Sequence, residues 1–247
     1  MRHRGSHIII TGGYGDIGVA CAARLVAEGA KVTLFDCREP GAGAAELLTN
    51  PAVAGHQVDV TDRQAVEAAL EHIWPFDTVL ANAGIVESAP FLDITAEQWQ
   101  KHIDVNLSGV FNVVQLSARI MVRNEAPGML ILTGSWVGAV PWPEIAAYAT
   151  TKAAIVMLGK SAARELASDG IRVNIVAPGI VAAGLAKRQM ETEPQYAARV
   201  ARVIPTGAPQ TAEEVAGVVS FLCSSDAASM TGSVLLADGG CSLFKFD

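Results

Sequence analysis

His7-Ile8-Ile9-Ile10-Thr11 reads as a short buried strand that runs straight into Gly12-Gly13-Tyr14-Gly15-Asp16-Ile17-Gly18. Val19–Glu28 follows with amphipathic helical spacing and closes at Gly29. Strand, glycine turn and helix in that order constrain the fold more than any other feature, because together they open a βαβ unit that binds dinucleotides. The helix amino terminus presents unpaired N–H groups and a partial positive charge, so it receives a pyrophosphate. Glycines let the main chain approach the phosphates with no Cβ between them. A second strand, Lys31–Phe35, ends at Asp36, eighteen residues after Gly18. A carboxylate there accepts a hydrogen bond from a ribose 2′-OH and repels a 2′-phosphate, which favours NAD over NADP; Arg38, two residues on, weakens that preference.

Strand-like and helical segments alternate along the rest of the chain, which predicts an α/β fold. The expected architecture is a Rossmann-type, doubly wound parallel sheet of about seven strands in a three-layer α/β/α sandwich. The predicted strands are Gly55–Val60, Asp77–Ala81, Gly128–Leu132, Ile171–Ala177 and Ser233–Ala237. Helices are expected near Ala44–Leu48, over Arg63–Ile73 behind Thr61-Asp62, from Thr95 to Arg123 with Gly109 inside, and over Ala147–Ser168 and Thr211–Cys223. Ala182–Ile204 reads as a mobile helical insert. No linker or repeat divides the chain, so residues 1–247 are expected to form one domain. Hydrophobic residues reach 51%, in strand-sized runs suited to a parallel sheet covered on both faces and shorter than a membrane helix needs. A net charge of −7 disfavours nucleic acid. The four cysteines, Cys21, Cys37, Cys223 and Cys241, lack zinc spacing and read as small packing residues, with no metal expected. Met1–Ser6 is basic but leads into no signal-peptide pattern; it reads as an added or frayed start, and a cytoplasmic location is the default.

Tyr148 and Lys152 stand four residues apart, so a helix places the phenol and the ammonium on one face, and Ser135 lies thirteen residues before the tyrosine. A free phenol ionises near pH ~10, and an adjacent cation lowers that value towards useful acid/base work. Open αβ sheets hold their ligands beyond the carboxyl ends of the strands, and all of these motifs fall at such ends.

The order Thr11-Gly12 to Gly18, Asp59-Val60, Asn82-Ala83-Gly84, Asn106, Ser135, Tyr148, Lys152, Pro178-Gly179 and Asp238-Gly239-Gly240 resembles that of the compact short-chain dehydrogenases/reductases over nearly the whole chain. The resemblance implies an oxidoreductase that moves hydride between NAD(H) and a secondary alcohol or ketone. It makes Tyr148 the acid/base, and it gives Lys152 the nicotinamide ribose and the lowering of the tyrosine pKa. Ser135 orients the substrate oxygen, and Asn106 holds a water that links Lys152 to solvent. Gly12, Tyr14, Asp16, Ile17 and Gly18 would meet the pyrophosphate, Asp36 the ribose, and Asp59 and Val60 the adenine. Asn82, Ala83, Gly84, Pro178, Gly179 and Val181 would lie along the nicotinamide half.

Two positions depart from the family pattern. Asp16 stands where a glycine is usual, and its carboxylate is expected to turn away from the phosphates. Ala183 replaces a hydroxyl residue that holds the carboxamide, leaving main-chain groups near Val181 for that task. Trp136, with Trp142 nearby, suggests an apolar or ring-shaped substrate wall, while Glu87 and Glu144 would grip hydroxyls and oppose an anionic substrate. A non-catalytic nucleotide-binding protein and an isomerase or lyase using transient hydride transfer are the alternatives. The resemblance also implies a homotetramer paired through the two long helices, with Leu243-Phe244-Lys245-Phe246 docking on a neighbour.

Overall fold

Seven strands, all parallel, pair in the order β3-β2-β1-β4-β5-β6-β7 in the computed structural model, which describes residues 1–243. They are β1 (His7–Thr11), β2 (Lys31–Asp36), β3 (Val53–Gln57), β4 (Thr78–Ala81), β5 (Gly128–Thr133), β6 (Ile171–Pro178) and β7 (Val234–Ala237). The helices are α1 (Asp16–Ala27), α2 (Ala42–Leu47), α3 (Arg63–Ile73), α4 (Ala96–His102), α5 (Val110–Arg123), α6 (Ala146–Leu166), α7 (Gly184–Thr192), α8 (Pro194–Val203) and α9 (Ala212–Cys223).

Alternation along the strands builds the three layers. Ile8, Ile10, Val32, Leu34, Leu80 and Ile131 pack with Leu25 of α1 and Leu222 of α9. Their neighbours Ile9, Val79, Leu130, Leu132, Val173 and Ile175 face the other way, onto Leu70 of α3, Val113 of α5 and Ile155 of α6. Each such side chain contributes roughly 1.5–3 kcal/mol by leaving water, which is why short apolar runs suffice to fix both faces of the sheet. The strand order reverses between β1 and β4, and that crevice is where ligands of such sheets bind.

Several boundaries differ from expectation for physical reasons. β3 ends at Gln57 and not at Val60, because this edge strand pairs only with β2, whose last residue Asp36 lies opposite Gln57. One more bond, from the Val58 N–H to the Asp36 carbonyl at 2.9 Å, closes the ladder. α1 starts at Asp16, three residues early, since the extended Gly15 already caps it and its carbonyl accepts from the Val19 N–H at 2.9 Å.

The helix expected from Thr95 to Arg123 is continuous but not uniform. Thr95 and Gln98 form a reciprocal cap, and seven residues, Ile103–Gly109, wind as a π-helix between α4 and α5. Gly109 sits where a Cβ would come within 2.6 Å of Val60 Cγ2. Although its uninterrupted apolar runs are short, Ala96–Arg123 as a whole is long and apolar enough to cross a membrane; most of its apolar side chains pack in the core under the sheet.

Met1–Ser6 does not fray. His3 is buried, with Nε2 at 3.1 Å from both Ser220 Oγ and Glu28 Oε2, which pins the start of the chain to α9 and α1. Cys37 is exposed and so is not the packing residue expected; Cys21 and Cys241 are buried. The expected docking tail, Phe244 to Phe246, lies outside the described residues.

Candidate active site

Thr11 Oγ1, at the end of β1, accepts from the Asn82 and Ala83 N–H groups beyond β4 at 3.0 and 3.1 Å. Those bonds clamp the two strands at the crevice and bring the glycine turn against Asn82-Ala83-Gly84. Gly12 adopts φ +63°, and a Cβ on it would lie 2.8 Å from Ala83 Cα; one on Gly18 would lie 2.4 Å from the Gly12 carbonyl oxygen. Bare main chain at both positions is the cradle a dinucleotide requires. Tyr14 donates its N–H to Asp36 Oδ2 at 3.1 Å, and Arg38 forks onto the same carboxylate with Nε and Nη2 each at 2.9 Å. Burial pushes the Asp36 carboxyl up, but the Arg38 fork and the backbone donors outweigh it and hold the group below its ordinary value. Asp16 turns its Oδ2 to the Gly184 N–H at 2.9 Å, at the first residue of α7.

Ser135 follows β5 and opens a short 3-10 turn, its buried Oγ accepting from the Val137 N–H at 3.4 Å. Tyr148 and Lys152 lie on the first two turns of α6. Tyr148 is half-buried, and the Ser135 hydroxyl lies near enough to its phenol to act on its ionisation. Lys152 Nζ stands 5.5 Å from the centre of the Tyr148 ring and donates to the Thr133 carbonyl at 2.7 Å. In the protein alone the expected lowering of the phenol is reversed: burial raises Tyr148, and the nearby Ser135 hydroxyl only partly offsets it. Burial also holds Lys152 down to about 8, from an ordinary 10.5. The dry pocket thus drives both groups towards their neutral forms.

Asn106 is fully buried within the π-helical segment. Its Oδ1 accepts from the Ile85 N–H at 2.8 Å and its Nδ2 donates to the Ile85 carbonyl at 2.9 Å. A Cβ on Gly84 would meet Asn106 Oδ1 at 3.2 Å and Lys152 Nζ at 3.7 Å, so these three positions converge. π-helical turns inside α-helices occur often at functional sites.

Over residues 14–242 the chain matches the family described as enoyl-(acyl carrier protein) reductase. It is 38% identical to the 3-oxoacyl-[acyl-carrier-protein] reductase MabA of Mycobacterium tuberculosis, over 94% of this chain and 91% of that protein. It is 34% identical to 3beta-hydroxysteroid dehydrogenase 1 of Eggerthella lenta, over 98% and 95%. A solved gluconate 5-dehydrogenase from Burkholderia cenocepacia, in complex with NADP and tartrate, superposes with a TM-score of 0.90 at 30% identity, covering 99% of this chain and 98% of that one. This chain belongs to the short-chain dehydrogenase/reductase family. It is an oxidoreductase that transfers hydride between a nicotinamide nucleotide and a secondary alcohol or ketone, and the non-catalytic alternative is not favoured.

In this short-chain dehydrogenase/reductase the remaining candidate residues fall at several places. Gly179 packs so tightly on Asp238 that a Cβ would lie 2.6 Å from its Cα, and its N–H donates to Gln210 Oε1 at 2.8 Å. Val181, past Pro178 and Gly179, bridges to Gln210. Asp59 is exposed beyond β3 and binds Thr61, accepting from its N–H at 2.9 Å and its hydroxyl at 2.8 Å. Trp136 is buried edge-on against Trp142, with ring centres 5.4 Å apart, and Met190, Tyr196 and Val200 of α7 and α8 close over the pair. The Glu87 carboxylate is paired with Lys101 of α4 and is not a free grip for hydroxyls. Glu144 is exposed at φ +67°. Thr133, Thr151 and Gln210 were not singled out in the sequence. Thr151 Oγ1 donates to the Tyr148 carbonyl at 2.7 Å and receives Asn106 Nδ2 at 3.3 Å. Only its place inside Tyr-Ala-Thr-Thr-Lys marked it; Gln210 carried no motif.

Proposed function

We propose that Tyr148 is the acid/base of this dehydrogenase, acting on a neutral ketone or secondary alcohol carried on an apolar ring, with NAD(H) preferred over NADP(H). One observation carries the reading. Ser135, Tyr148 and Lys152 meet at the carboxyl end of β5, with Lys152 Nζ 5.5 Å from the centre of the phenol ring and held by the Thr133 carbonyl two residues before Ser135. When bound, the nicotinamide supplies or accepts the hydride. Tyr148 gives its proton to the substrate oxygen in reduction and takes it back in oxidation. Ser135 donates a hydrogen bond to the same oxygen and fixes its direction. Lys152 favours the phenolate electrostatically and binds the ribose hydroxyls. Asn106, beside Lys152, holds the water through which that lysine exchanges protons with solvent.

Gly12, Tyr14, Ile17 and Gly18 receive the pyrophosphate, and Asp59 and Val60 border the adenine. Asn82, Ala83, Gly84, Pro178, Gly179 and Val181 line the nicotinamide half. The NAD preference rests on Asp36: it is buried, ionised by its donors, and already holds the Arg38 guanidinium that a 2′-phosphate would need. NADP in the gluconate dehydrogenase complex is the observation on the other side.

The Trp136–Trp142 wall under α7 and α8 suits a flat apolar ring, and the steroid dehydrogenase relative supports that class. The acyl-carrier reductase relatives favour a second reading, an acyl thioester. Purified protein given NADH or NADPH with cyclic ketones, keto-polyols and a 3-oxoacyl thioester tests both, by the loss of reduced-cofactor absorbance. Cyclic ketones with NADH are expected to give kcat/KM at least about tenfold above the thioester. A thioester preference would sink the substrate class, and an NADPH preference the cofactor reading. NADH binding with no turnover on any carbonyl would remove the acid/base assignment.

A further inference from the structure

The carboxylate at position 16 has a partner 168 residues away: Oδ2 accepts the Gly184 N–H at 2.9 Å. Gly184 is the first residue of α7, and the residue that should cap that helix, Ala183, has no side-chain acceptor and makes no side-chain cap bond. The first N–H groups of a helix need partners from outside it. Asp16 supplies one from the other side of the crevice, while its own backbone begins α1 immediately behind the phosphate-binding turn. Glycine, the residue usual here, could not make this bond. Asp16 and Lys187 of α7 both line a cleft of about 790 Å³ bordered by α1, α2, α7 and the start of α9.

We propose that Asp16 is a positioning residue: it ties the lid formed by α7 and α8 to the glycine turn, so that the chain segment holding the nucleotide also holds the lid over Trp136 and Trp142. The same helix pair contributes Met190, Tyr196 and Val200 to the apolar cluster around those tryptophans, so the position of α7 decides whether the substrate wall is complete. The proposal rests on the catalytic reading above only where substrate KM is concerned; the tie itself is an internal contact that needs no catalysis to measure.

The test compares wild type with Asp16→Ala, Asp16→Asn and the double variant Asp16→Ala with Ala183→Ser. Lys187 and Arg188 are exposed on α7, so limited trypsin digestion reads the opening of the lid directly. Asp16→Ala is expected to raise cleavage at those two sites about tenfold in the nucleotide-free protein. KM for a ketone substrate should rise about tenfold, with kcat falling far less. Asp16→Asn keeps an oxygen that accepts from Gly184 and should restore both readouts. Adding Ala183→Ser caps α7 locally, and it should restore resistance to trypsin without restoring KM. Wild-type cleavage and KM in Asp16→Ala would overturn the tie, as would failure of the Asn variant to rescue. Recovery of KM in the double variant would reduce Asp16 to a helix cap.

Discussion

Lys152 carries a charge that the fold without nucleotide is better off without. Below about pH 8 the ammonium is charged in both the folded and the unfolded chain, and its burial weakens the fold in full. Between about 8 and the ordinary 10.5 the folded chain releases the proton while the unfolded chain keeps it, so that penalty fades as pH rises. Lys152→Met is therefore expected to abolish turnover yet raise the Tm of the nucleotide-free protein at pH 7 by about 5 °C, the gap to wild type narrowing from pH 8 to 10. A Tm below wild type at pH 7 would contradict this. Tyr148→Phe should keep NADH binding within about twofold and cut kcat about a hundredfold or more; near-wild-type turnover would end its role as acid/base. At this scale the sequence was most readable. The four-residue spacing of Tyr148 and Lys152 and the glycine cradle depend on local geometry, which sequence encodes directly. The raised phenol and lowered ammonium depend on how much protein surrounds them, and no spacing reports that.

The π-helical segment could not be read from residue types, because helical periodicity over Thr95–Arg123 is satisfied on either side of it. Its cause is tertiary: Asn106 bonds both atoms of its amide to the main chain of Ile85, in the loop after β4. Asn106→Ala leaves a backbone N–H and a carbonyl without their partners and should cost about 2–4 kcal/mol, seen as a lower urea midpoint at unchanged m-value. A midpoint equal to wild type would show that water replaces the amide without loss. β3 follows the same logic. The strand was expected as far as Val60, but a strand at the edge of a sheet stops where its one neighbour stops. The helix starts at Thr95 and Thr211 are set locally, by capping boxes in which each threonine pairs with the residue three positions on, Gln98 and Glu214.

Large apolar side chains are uncovered at several places among the described residues, two of them on regular elements at opposite parts of the fold. Phe111 of α5 and Met157 of α6 are exposed on the helical layer, and Val234 and Leu236 on β7, at the edge of the sheet. Two such faces, if each paired with its own copy, would generate a closed set of four subunits, the homotetramer that the family resemblance implies. Sedimentation should give a tetramer at micromolar concentration, and Phe111→Glu with Met157→Glu should halve its mass; an unchanged mass would place the contact elsewhere. α5 runs on from the segment that grips Ile85, and Ile85 follows Gly84, the residue lying against Lys152. One amide therefore acts as a rivet between a rod on the outside of the protein and the floor beneath its reacting groups. A neighbour that nudged that rod along its length would shift the floor as well.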